Sequence, residues 1–453
     1  MNKITIVGAG LAGSLLSVYL AKKGFEVNVY ERRPDMRRSD TGGGKSINLA
    51  LSTRGIHALK EVGLYDEIKK IAIPMYGRMI HPTEGELSFQ RYGKDDSEYI
   101  NAVSRAELNI SLMNLAEKND NVKIYFSERC TGIDLKNSVT YFHNDITGID
   151  SKAESDIVVA TDGATSAVRL EVQKIPRFNF SQEYENYGYK ELVIPAGKDG
   201  SFLMEKNALH IWPRGSFMLI ALPNLDGSYT CTLFLAYDRA LGGDSSFENL
   251  VDNKKVNEFF VRHFPDFVKL KPDLEEEFFR NPVGTLMTVK CFPWTFENKV
   301  CLLGDACHAI VPFFGQGMNA AFEDCIYLNQ CIEKHGTDWG KVFGEYQLLR
   351  KENSDAIADL ARENFVEMRD LVADERFLLK KKIEAVLFKK YPDIFIPKYS
   401  MVTFHRIPYS TALKRGKIQE RILSELSDGI NSADEINYDK AHSLVKDNLD
   451  RLY

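Results

Sequence analysis

A glycine-rich segment near the start of the chain constrains the fold more than any other feature. Gly8, Gly10 and Gly13 follow a short apolar strand at residues 4–7 and open a helix. In this context the first glycine permits a tight turn, the second lets a phosphate group approach the backbone, and the third lets the helix pack closely on the strand. The pattern therefore predicts a βαβ unit that binds a dinucleotide at the start of its helix.

The acidic residue at the end of the second predicted strand indicates which dinucleotide is accepted. Glu31 follows Gly13 by 18 residues (31 − 13), close to the spacing of about 20 at which a carboxylate holds a ribose 2′-hydroxyl. Because a carboxylate repels a 2′-phosphate, this site fits the AMP half of FAD, or NAD, and not NADP. A glycine turn that binds no ligand stays open as the alternative.

A second segment, residues 300–324, narrows the choice of cofactor. An apolar strand ends at Gly304 and Asp305, a loop with proline and glycine follows, and a helix is predicted to begin near Met318. Backbone N–H groups and the positive end of the helix dipole would face this loop, which suits an electron-rich flavin ring. Asp162 follows another predicted strand, and strand ends are where ligands of open α/β sheets gather.

Composition excludes several functional classes. The 453 residues carry a net charge of -6, whereas a surface that binds nucleic acid normally shows a basic excess. Seven scattered cysteines without a Cys-x-x-Cys pair predict a reduced, cytoplasmic protein. We expect no membrane anchor, because no apolar stretch approaches the roughly 18 residues that a membrane-spanning helix needs. We also expect no targeting peptide, because the first predicted strand begins at residue 4.

The order of elements predicts an α/β fold: a Rossmann-like FAD-binding domain, a substrate domain with a mixed sheet, and a helical C-terminal extension. Ser104 and Glu107 match a capping box and predict the start of one helix. The predicted boundaries are discontinuous: residues 1–75, 100–176 and 294–375 for the FAD-binding domain, 76–99 and 177–293 for the β-sheet substrate domain, and 376–453 for the helical region.

Taken in order along the chain, the glycine turn, Asp162 with Gly163, and Gly304 with Asp305 resemble the motifs of the aromatic-ring flavin hydroxylase family, which has the p-hydroxybenzoate hydroxylase fold. The resemblance implies that Asp305 binds the ribityl chain and that Arg105 contacts the cofactor. The residues it assigns to FAD are Gly8, Gly10, Leu11, Ala12, Gly13, Glu31, Arg32, Ala50, Arg105, Asp162, Asp305, Gly315, Gln316, Gly317, Met318 and Asn319, the last five along the isoalloxazine ring.

Further segments resemble those members of the family that hydroxylate L-kynurenine. These segments are 78–81, 92–93, 104–105, 311–324, 364–369 and 395–404. The resemblance implies that the substrate carboxylate and amino group are bound by Arg78, Tyr92, Asn364 and Tyr399. It places Phe313 and Phe314 against the substrate ring and gives Gln316 and Glu367 positioning roles. No catalytic acid or base is assigned.

The types of these residues fit the binding of an amino acid substrate. An amino acid substrate brings a carboxylate into a partly dry pocket, which suits the bidentate donors of an arginine. A symmetric hairpin centred on Gly85 would make Arg78 and Tyr92 cross-strand partners on one face. Asn364 and Glu367 are three residues apart and share a face of a predicted helix. Three alternatives stay open. Arg78 could form a surface ion pair, Tyr92 and Tyr399 could be core residues, and Asn364 and Glu367 could lie on a solvated helix face.

The implied reaction uses FAD, NADPH and O2 to convert L-kynurenine to L-3-hydroxykynurenine in tryptophan degradation. The sequence has no second glycine fingerprint, so NADPH is expected to bind transiently as a co-substrate. Three alternatives to this function stay open. The enzyme could act on another aromatic substrate, it could halogenate instead of hydroxylate, or the chain could be a non-catalytic binding protein with the same fold. The chain has only three tryptophans, fewer than we expect for a tryptophan halogenase.

Cys307 and His308 could suggest a metal or a nucleophile. No other ligand lies at a metal spacing, so we expect core packing for both residues and no metal in the protein. A homodimer is compatible with the sequence.

Overall fold

The chain divides into two compact units, each built from three segments. The computed structural model describes residues 2–38, 48–371 and 374–452. The first unit comprises Met1–Ala72, Val103–Tyr184 and Met287–Ala358, and the second comprises Ile73–Ala102, Glu185–Leu286 and Asp359–Tyr453. The second unit thus contains most of the predicted substrate segments together with the C-terminal residues.

The strands are β1 (Lys3–Val7), β2 (Glu26–Glu31), β3 (Asn48–Leu51), β4 (Ala72–Met75), β5 (Gly77–Ile80), β6 (Ser88–Arg91), β7 (Ile100–Ser104), β8 (Val122–Phe126), β9 (Glu128–Asp134), β10 (Val139–Asn144), β11 (Asp150–Glu154), β12 (Ile157–Ala160), β13 (Asn179–Ile194), β14 (Ala208–Pro213), β15 (Met218–Pro223), β16 (Tyr229–Ala236), β17 (Gly284–Phe292), β18 (Thr295–Phe296) and β19 (Val300–Leu302).

The α-helices are α1 (Leu11–Lys22), α2 (Thr53–Val62), α3 (Tyr65–Ile68), α4 (Arg105–Glu117), α5 (Ala167–Val172), α6 (Arg239–Gly242), α7 (Asn253–His263), α8 (Pro265–Leu270), α9 (Leu274–Arg280), α10 (Asp305–His308), α11 (Gly317–His335), α12 (Trp339–Val366), α13 (Glu375–Lys390), α14 (Lys398–Thr403), α15 (Tyr409–Ser427) and α16 (Tyr438–Asn448). Short 3₁₀ helices span Lys69–Ile71, Pro312–Phe314 and Ala433–Glu435, and a π-helical turn spans Glu367–Leu371.

A six-stranded sheet lies in the first unit, in the order β18-β19-β12-β1-β2-β8. β1 pairs in parallel with β12 and with β2, so that Ile4 lies opposite Ile157 on one side and Val27 on the other. All three side chains are buried, as expected for parallel strands whose two faces are both covered. The βαβ unit predicted from the glycine segment is therefore confirmed.

A seven-stranded mixed sheet provides most of the β-structure of the second unit, in the order β17-β13-β16-β15-β14-β5-β6. β14 pairs in parallel with β5 and antiparallel with β15. The predicted α/β class with a mixed second sheet is confirmed, and so is the helical C-terminal extension, α13 to α16. α13, α15 and α16 share an apolar core that includes Leu387, Ile422 and Val445.

The hairpin that carries Arg78 has a register different from the predicted one. β5 and β6 pair antiparallel with Arg78 opposite Gln90, so the prediction that Tyr92 is its direct partner is wrong. Gly77 explains this register, because a Cβ there would collide with the Gln90 carbonyl oxygen. The partner moves by two residues, and since side chains alternate along a strand, Tyr92 stays on the same face as Arg78.

Residues 177–293 also contain more helix than the predicted β-sheet domain. α7, α8 and α9 contribute Phe260, Phe267 and Phe278 to one buried core. Aromatic residues of this range therefore lie on helices as well as on strands. The Asp252 side chain accepts a hydrogen bond from the Lys255 N–H and caps the start of α7, a local signal for this helix.

A membrane-crossing helix needs length together with an unbroken apolar surface. Across the described ranges, every helix falls short of that combination.

Candidate functional site

The glycine turn between β1 and α1 has the geometry that a dinucleotide requires. Gly8 has a positive φ of 101°, a conformation that side chains with a Cβ rarely adopt. A Cβ at Gly13 would collide with the Gly8 carbonyl oxygen, whereas a Cβ at Gly10 would meet nothing within 4 Å. α1 begins without a side-chain cap from any described residue, so its first N–H groups are oriented toward the open side of the turn.

The Glu31 side chain is hydrogen-bonded to the backbone of this turn. The side chain is buried at the end of β2, and one carboxylate oxygen accepts a hydrogen bond from the Ala9 N–H at 2.8 Å. The other accepts from Nε of Arg33 at 2.9 Å. The carboxylate therefore stabilises the glycine turn itself, a contact that the sequence did not predict. Arg32, the next residue, is exposed.

Asp162 lies just beyond β12, beside the same turn. One carboxylate oxygen accepts from the Ala167 N–H at 2.8 Å, at the start of α5. The other is buried and has no hydrogen-bond partner among the described residues. Burial raises the pKa of this carboxyl group. A buried acceptor without a partner is costly, so this oxygen suits a donor supplied by a ligand.

Asp305 and Arg105 lie close enough for their charges to interact. Asp305 begins α10 directly after Gly304 and is exposed, and Arg105 is exposed at the start of α4. Desolvation by the surrounding protein raises the pKa of the Asp305 carboxyl group. The charges of His308 and Arg105 act in the opposite direction and lower it. The predicted helix start at Ser104 is confirmed, because the Ser104 hydroxyl accepts from the Glu107 N–H at 3.3 Å.

The segment from Gly315 to Asn319 forms the turn into α11. Gly315 has a left-handed conformation with φ 66°, and a Cβ there would lie 3.1 Å from that of Ala50. Gly317 and Met318 are partly exposed, and α11 has no side-chain cap from the described residues. Uncapped N–H groups at this helix start fit the electron-rich flavin ring predicted here.

Asn319 and Gln316 are buried in this turn and act on the backbone around it. Asn319 Nδ2 donates to the carbonyl oxygens of Ala50 and Gly315, both at 2.9 Å. Asn319 Oδ1 accepts from the Ser52 N–H at 3.0 Å, and Gln316 Nε2 donates to the Ser52 hydroxyl at 3.2 Å. These amides join the turn to β3 and α2, so their predicted contact with the flavin ring stays a prediction.

A buried charge network lies beneath this turn, and sequence reasoning missed it. Asp324 accepts from His308 Nε2 at 2.5 Å, from Arg350 Nε at 2.7 Å and from the Gly304 N–H at 3.2 Å. Glu323 accepts from Arg54 at 2.5 Å and from Arg350 at 2.8 Å. Adjacent acids inside an apolar helix were the available signal, but their arginine partners are far away in sequence.

His308 therefore belongs to this network, and Cys307 lies in the same core. Burial raises the pKa of the Cys307 thiol well above its usual value, which disfavours a nucleophilic thiolate. Within the described part of the chain, no group of three or more His, Cys, Asp and Glu side chains is arranged to hold a metal ion. Phe313 and Phe314 are buried in the Pro312–Phe314 turn of the first unit.

In the second unit, three of the four residues predicted to bind the substrate's amino acid group lie together: Arg78, Tyr92 and Tyr399. The Arg78 guanidinium carbon lies 5.6 Å from the centre of the Tyr92 ring and 5.0 Å from that of Tyr399. The two rings stack with centroids 5.4 Å apart. Asn364 is buried near the end of α12, and its Nδ2 contacts the Met368 sulfur at 3.2 Å, a weak acceptor.

Glu367 completes this cluster, with its Oε1 3.9 Å from Arg78 Nη1. α12 ends at Val366 and Glu367 begins the π-helical turn, so the single helical face predicted for Asn364 and Glu367 is interrupted. Such turns are frequent at functional sites. Lys381 of α13 also approaches Glu367, at 3.7 Å, and no sequence signal pointed to it.

The cluster leaves polar atoms for a ligand. Arg78 Nε and the Tyr92 hydroxyl are buried and have no hydrogen-bond partner among the described residues. Burial raises the pKa of Tyr92 well above its usual value and also raises that of Tyr399. Both phenols are therefore neutral donors, and beside an arginine they can bind a carboxylate.

Comparison with known proteins identifies the family of this chain. The family model for an FAD binding domain matches residues 1–212 and 283–345, which is more than half of the chain. Kynurenine 3-monooxygenase of Myxococcus xanthus is 52% identical over 448 residues, covering 99% of this chain and 96% of that protein. The Dictyostelium discoideum protein of the same name is 46% identical over 466 residues, covering 100% and 98%.

Among solved structures, 2-methyl-3-hydroxypyridine-5-carboxylic acid oxygenase has the same fold. It superposes with a TM-score of 0.65 at 19% identity, covering 84% of this chain and 95% of that chain. The identity of the curated relatives over nearly their full length, together with the FAD-binding match, places the chain in a family. This protein belongs to the kynurenine 3-monooxygenase family of FAD-binding proteins.

Proposed function

We propose that this protein is an FAD-dependent monooxygenase that hydroxylates L-kynurenine to L-3-hydroxykynurenine with NADPH and O2. The observation that carries the proposal is the cluster around Arg78, where an arginine and two neutral phenols can bind the carboxylate of an amino acid. The relatives named kynurenine 3-monooxygenase supply the identity of that amino acid.

The reaction balances with one oxygen atom in the product and one in water. NADPH and a proton supply two electrons and the hydrogen that the water needs. Bound FAD supplies the chemistry that accepts electrons from NADPH and activates O2. The aromatic amine of kynurenine already enriches the neighbouring ring carbon in electrons, so the protein has to place the ring and exclude water rather than provide a strong base.

Each group of residues has a separate task in this proposal. The open Gly10 backbone and the uncapped start of α1 bind the pyrophosphate of FAD, and Asp162 and Asp305 offer acceptors to its hydroxyl groups. The start of α11 stabilises negative charge on the reduced ring. Arg78 binds the substrate carboxylate.

The first unit is thus proposed to bind FAD and the second to bind the amino acid end of the substrate. We also propose a cytoplasmic protein, in line with its seven free cysteines, and a homodimer. Cell fractionation tests the first of these statements and light scattering tests the second.

The direct test is NADPH oxidation by the FAD-loaded protein, with and without L-kynurenine, with the product identified by mass. We expect kynurenine to accelerate oxidation and to gain one oxygen atom. Oxidation without that gain contradicts the proposal. Faster turnover of another aromatic acid would support the second candidate, a monooxygenase with a different substrate. A purified protein that binds no FAD would instead indicate a non-catalytic role.

A further inference from the structure

Glu367 lies between two cationic side chains that come from different elements. Its Oε1 is 3.9 Å from Nη1 of Arg78 on β5 and 3.7 Å from Nζ of Lys381 on α13. The Lys381 ammonium is also 3.3 Å from Oε2 of Glu384, one helical turn further along α13. Lys381 is therefore shared between two carboxylates, of which only Glu367 reaches the Arg78 cluster.

We propose that Lys381 is a positioning residue that holds the Glu367 carboxylate, in its charged form, where it can bind the α-ammonium group of the substrate. Arg78 would bind the substrate carboxylate beside it. This inference rests on the proposed function and refines it, because it assigns the two charges of the amino acid to two neighbouring side chains of opposite sign.

The charge pattern supports this division. An α-amino acid carries a carboxylate and an ammonium group a few ångströms apart, and each needs a partner of opposite charge when water is excluded. Arg78 and Glu367 are both mostly buried, with side chains 12% and 17% exposed. A carboxylate this buried stays charged only beside a cation. Lys381 supplies that cation and leaves Arg78 available for the substrate.

Glu384 keeps Lys381 in place. Its Oε2 lies 3.3 Å from the Lys381 ammonium, so Lys381 has a second carboxylate partner when the substrate ammonium binds Glu367. Neither Lys381 nor Glu384 is then buried without an opposite charge, which keeps the energetic cost of binding low.

The ionisation of Glu367 depends on charges from three elements. Burial raises its pKa, but Lys381 on α13, Arg78 on β5 and Lys398 on α14 together hold the pKa below its usual value. Lys398 already pairs with Glu363 at 2.9 Å, and the phenols of Tyr92 and Tyr399 are neutral. Removing Lys381 should therefore raise the pKa of Glu367, so that falling pH protonates it sooner and weakens ammonium binding.

The test is steady-state kinetics of the FAD-loaded protein from weakly acidic to weakly alkaline pH. We compare wild type, Lys381→Met, the conservative Lys381→Arg, and the control Lys382→Met, which removes the exposed neighbouring lysine. For Lys381→Met we expect KM for kynurenine to rise roughly three- to tenfold. The acid limb of kcat/KM should move to higher pH by about one unit, with little change in kcat. Lys381→Arg should restore the wild-type profile.

A second substrate separates ammonium recognition from general damage. The kynurenine analogue that lacks only the α-amino group should bind wild type and Lys381→Met about equally, so the preference for kynurenine should shrink in the variant. An unchanged preference together with an unchanged pH profile overturns the inference.

If wild type forms no hydroxylated product, the proposed function fails. The role of Lys381 is then judged by equilibrium binding of kynurenine and the same analogue, measured by the fluorescence of the bound FAD. A variant that discriminates between the two ligands as wild type does overturns it.

Discussion

The rings of Tyr92 and Tyr399 stack with an interplanar angle of 13°, although the two residues lie on separate elements of the second unit. Arg78 lies within 5.6 Å of the centre of each ring. The stack holds two neutral hydroxyl donors beside one guanidinium, an arrangement that can surround a carboxylate. Both of the following predictions about substrate binding depend on it.

Tyr92→Phe should weaken substrate binding without destabilising the protein. The Tyr92 hydroxyl is buried without a hydrogen-bond partner among the described residues, so removing it costs no internal hydrogen bond. We expect KM for kynurenine to rise about tenfold, equivalent to about 1.4 kcal/mol, and the melting temperature to stay the same or rise. A clear loss of thermal stability would show that the hydroxyl has a structural partner.

Arg78→Ala should raise KM for kynurenine far more. Truncating one partner of a buried charge pair typically costs about 2–4 kcal/mol, or roughly 30- to 1000-fold in affinity. FAD content should not change. The matched control is Arg91→Ala, because the Arg91 side chain is 48% exposed and pairs with Asp96. Unchanged kinetics in Arg78→Ala would remove Arg78 from the substrate site.

Glu31→Ala should reduce FAD retention. It removes the acceptor of the Ala9 N–H and leaves that donor without its partner inside the glycine turn, and it also removes the proposed ribose contact. We expect the ratio of flavin to protein absorbance after purification to fall several-fold. Glu26→Ala, an exposed change on the same strand, is the control. A variant that purifies fully loaded would argue against both roles of Glu31.

Asp324→Ala should destabilise the protein strongly. It leaves Arg350 and His308 without the carboxylate that each contacts in the interior, and breaking a buried pair typically costs about 3–5 kcal/mol. Urea denaturation measures this loss. Asp355→Asn breaks a partly exposed pair with Lys351 and should cost at most about 1 kcal/mol. Similar losses in both variants would show that the buried network adds no stability of its own.

Stability should fall below neutral pH because of His210. Burial lowers the pKa of His210 to about 4, with a smaller contribution from the nearby His81. Nε2 of His210 is 2.8 Å from the Glu205 carbonyl oxygen, and Asp266 lies on the far side of His81. Between the ordinary value of 6.5 and about 4, the unfolded chain binds more protons than the folded one. His210 therefore removes roughly 1.4 kcal/mol of stability for each pH unit lost in that window.

Urea denaturation at several pH values checks this slope. His210→Asn should flatten it between pH 6.5 and about 4, whatever the variant does to stability at neutral pH. His143→Asn, at a partly exposed histidine that pairs with Asp150, should leave the slope unchanged. Parallel curves for wild type and His210→Asn would exclude His210 as the cause.

Local patterns in the sequence were enough to predict the glycine turn and the elements around it. The glycine turn, the strands on either side of α1 and the Ser104 cap each depend on neighbouring residues. Turn conformation, helix capping and strand alternation are set within a few residues, so they can be read directly. The prediction of Arg78, Tyr92, Asn364 and Tyr399 as substrate residues came from family resemblance, and the structure brings Arg78, Tyr92 and Tyr399 together.

Only the tertiary structure decided the contacts between distant segments. It set the register that pairs Arg78 with Gln90, joined Asp324 to Arg350, and brought Lys381 beside Glu367. Such pairs depend on how separate elements pack and on the desolvation that packing causes, and neither leaves a local pattern in the chain. The sequence by itself determined the type of fold and the cofactor class, whereas packing decided which charges meet in the interior.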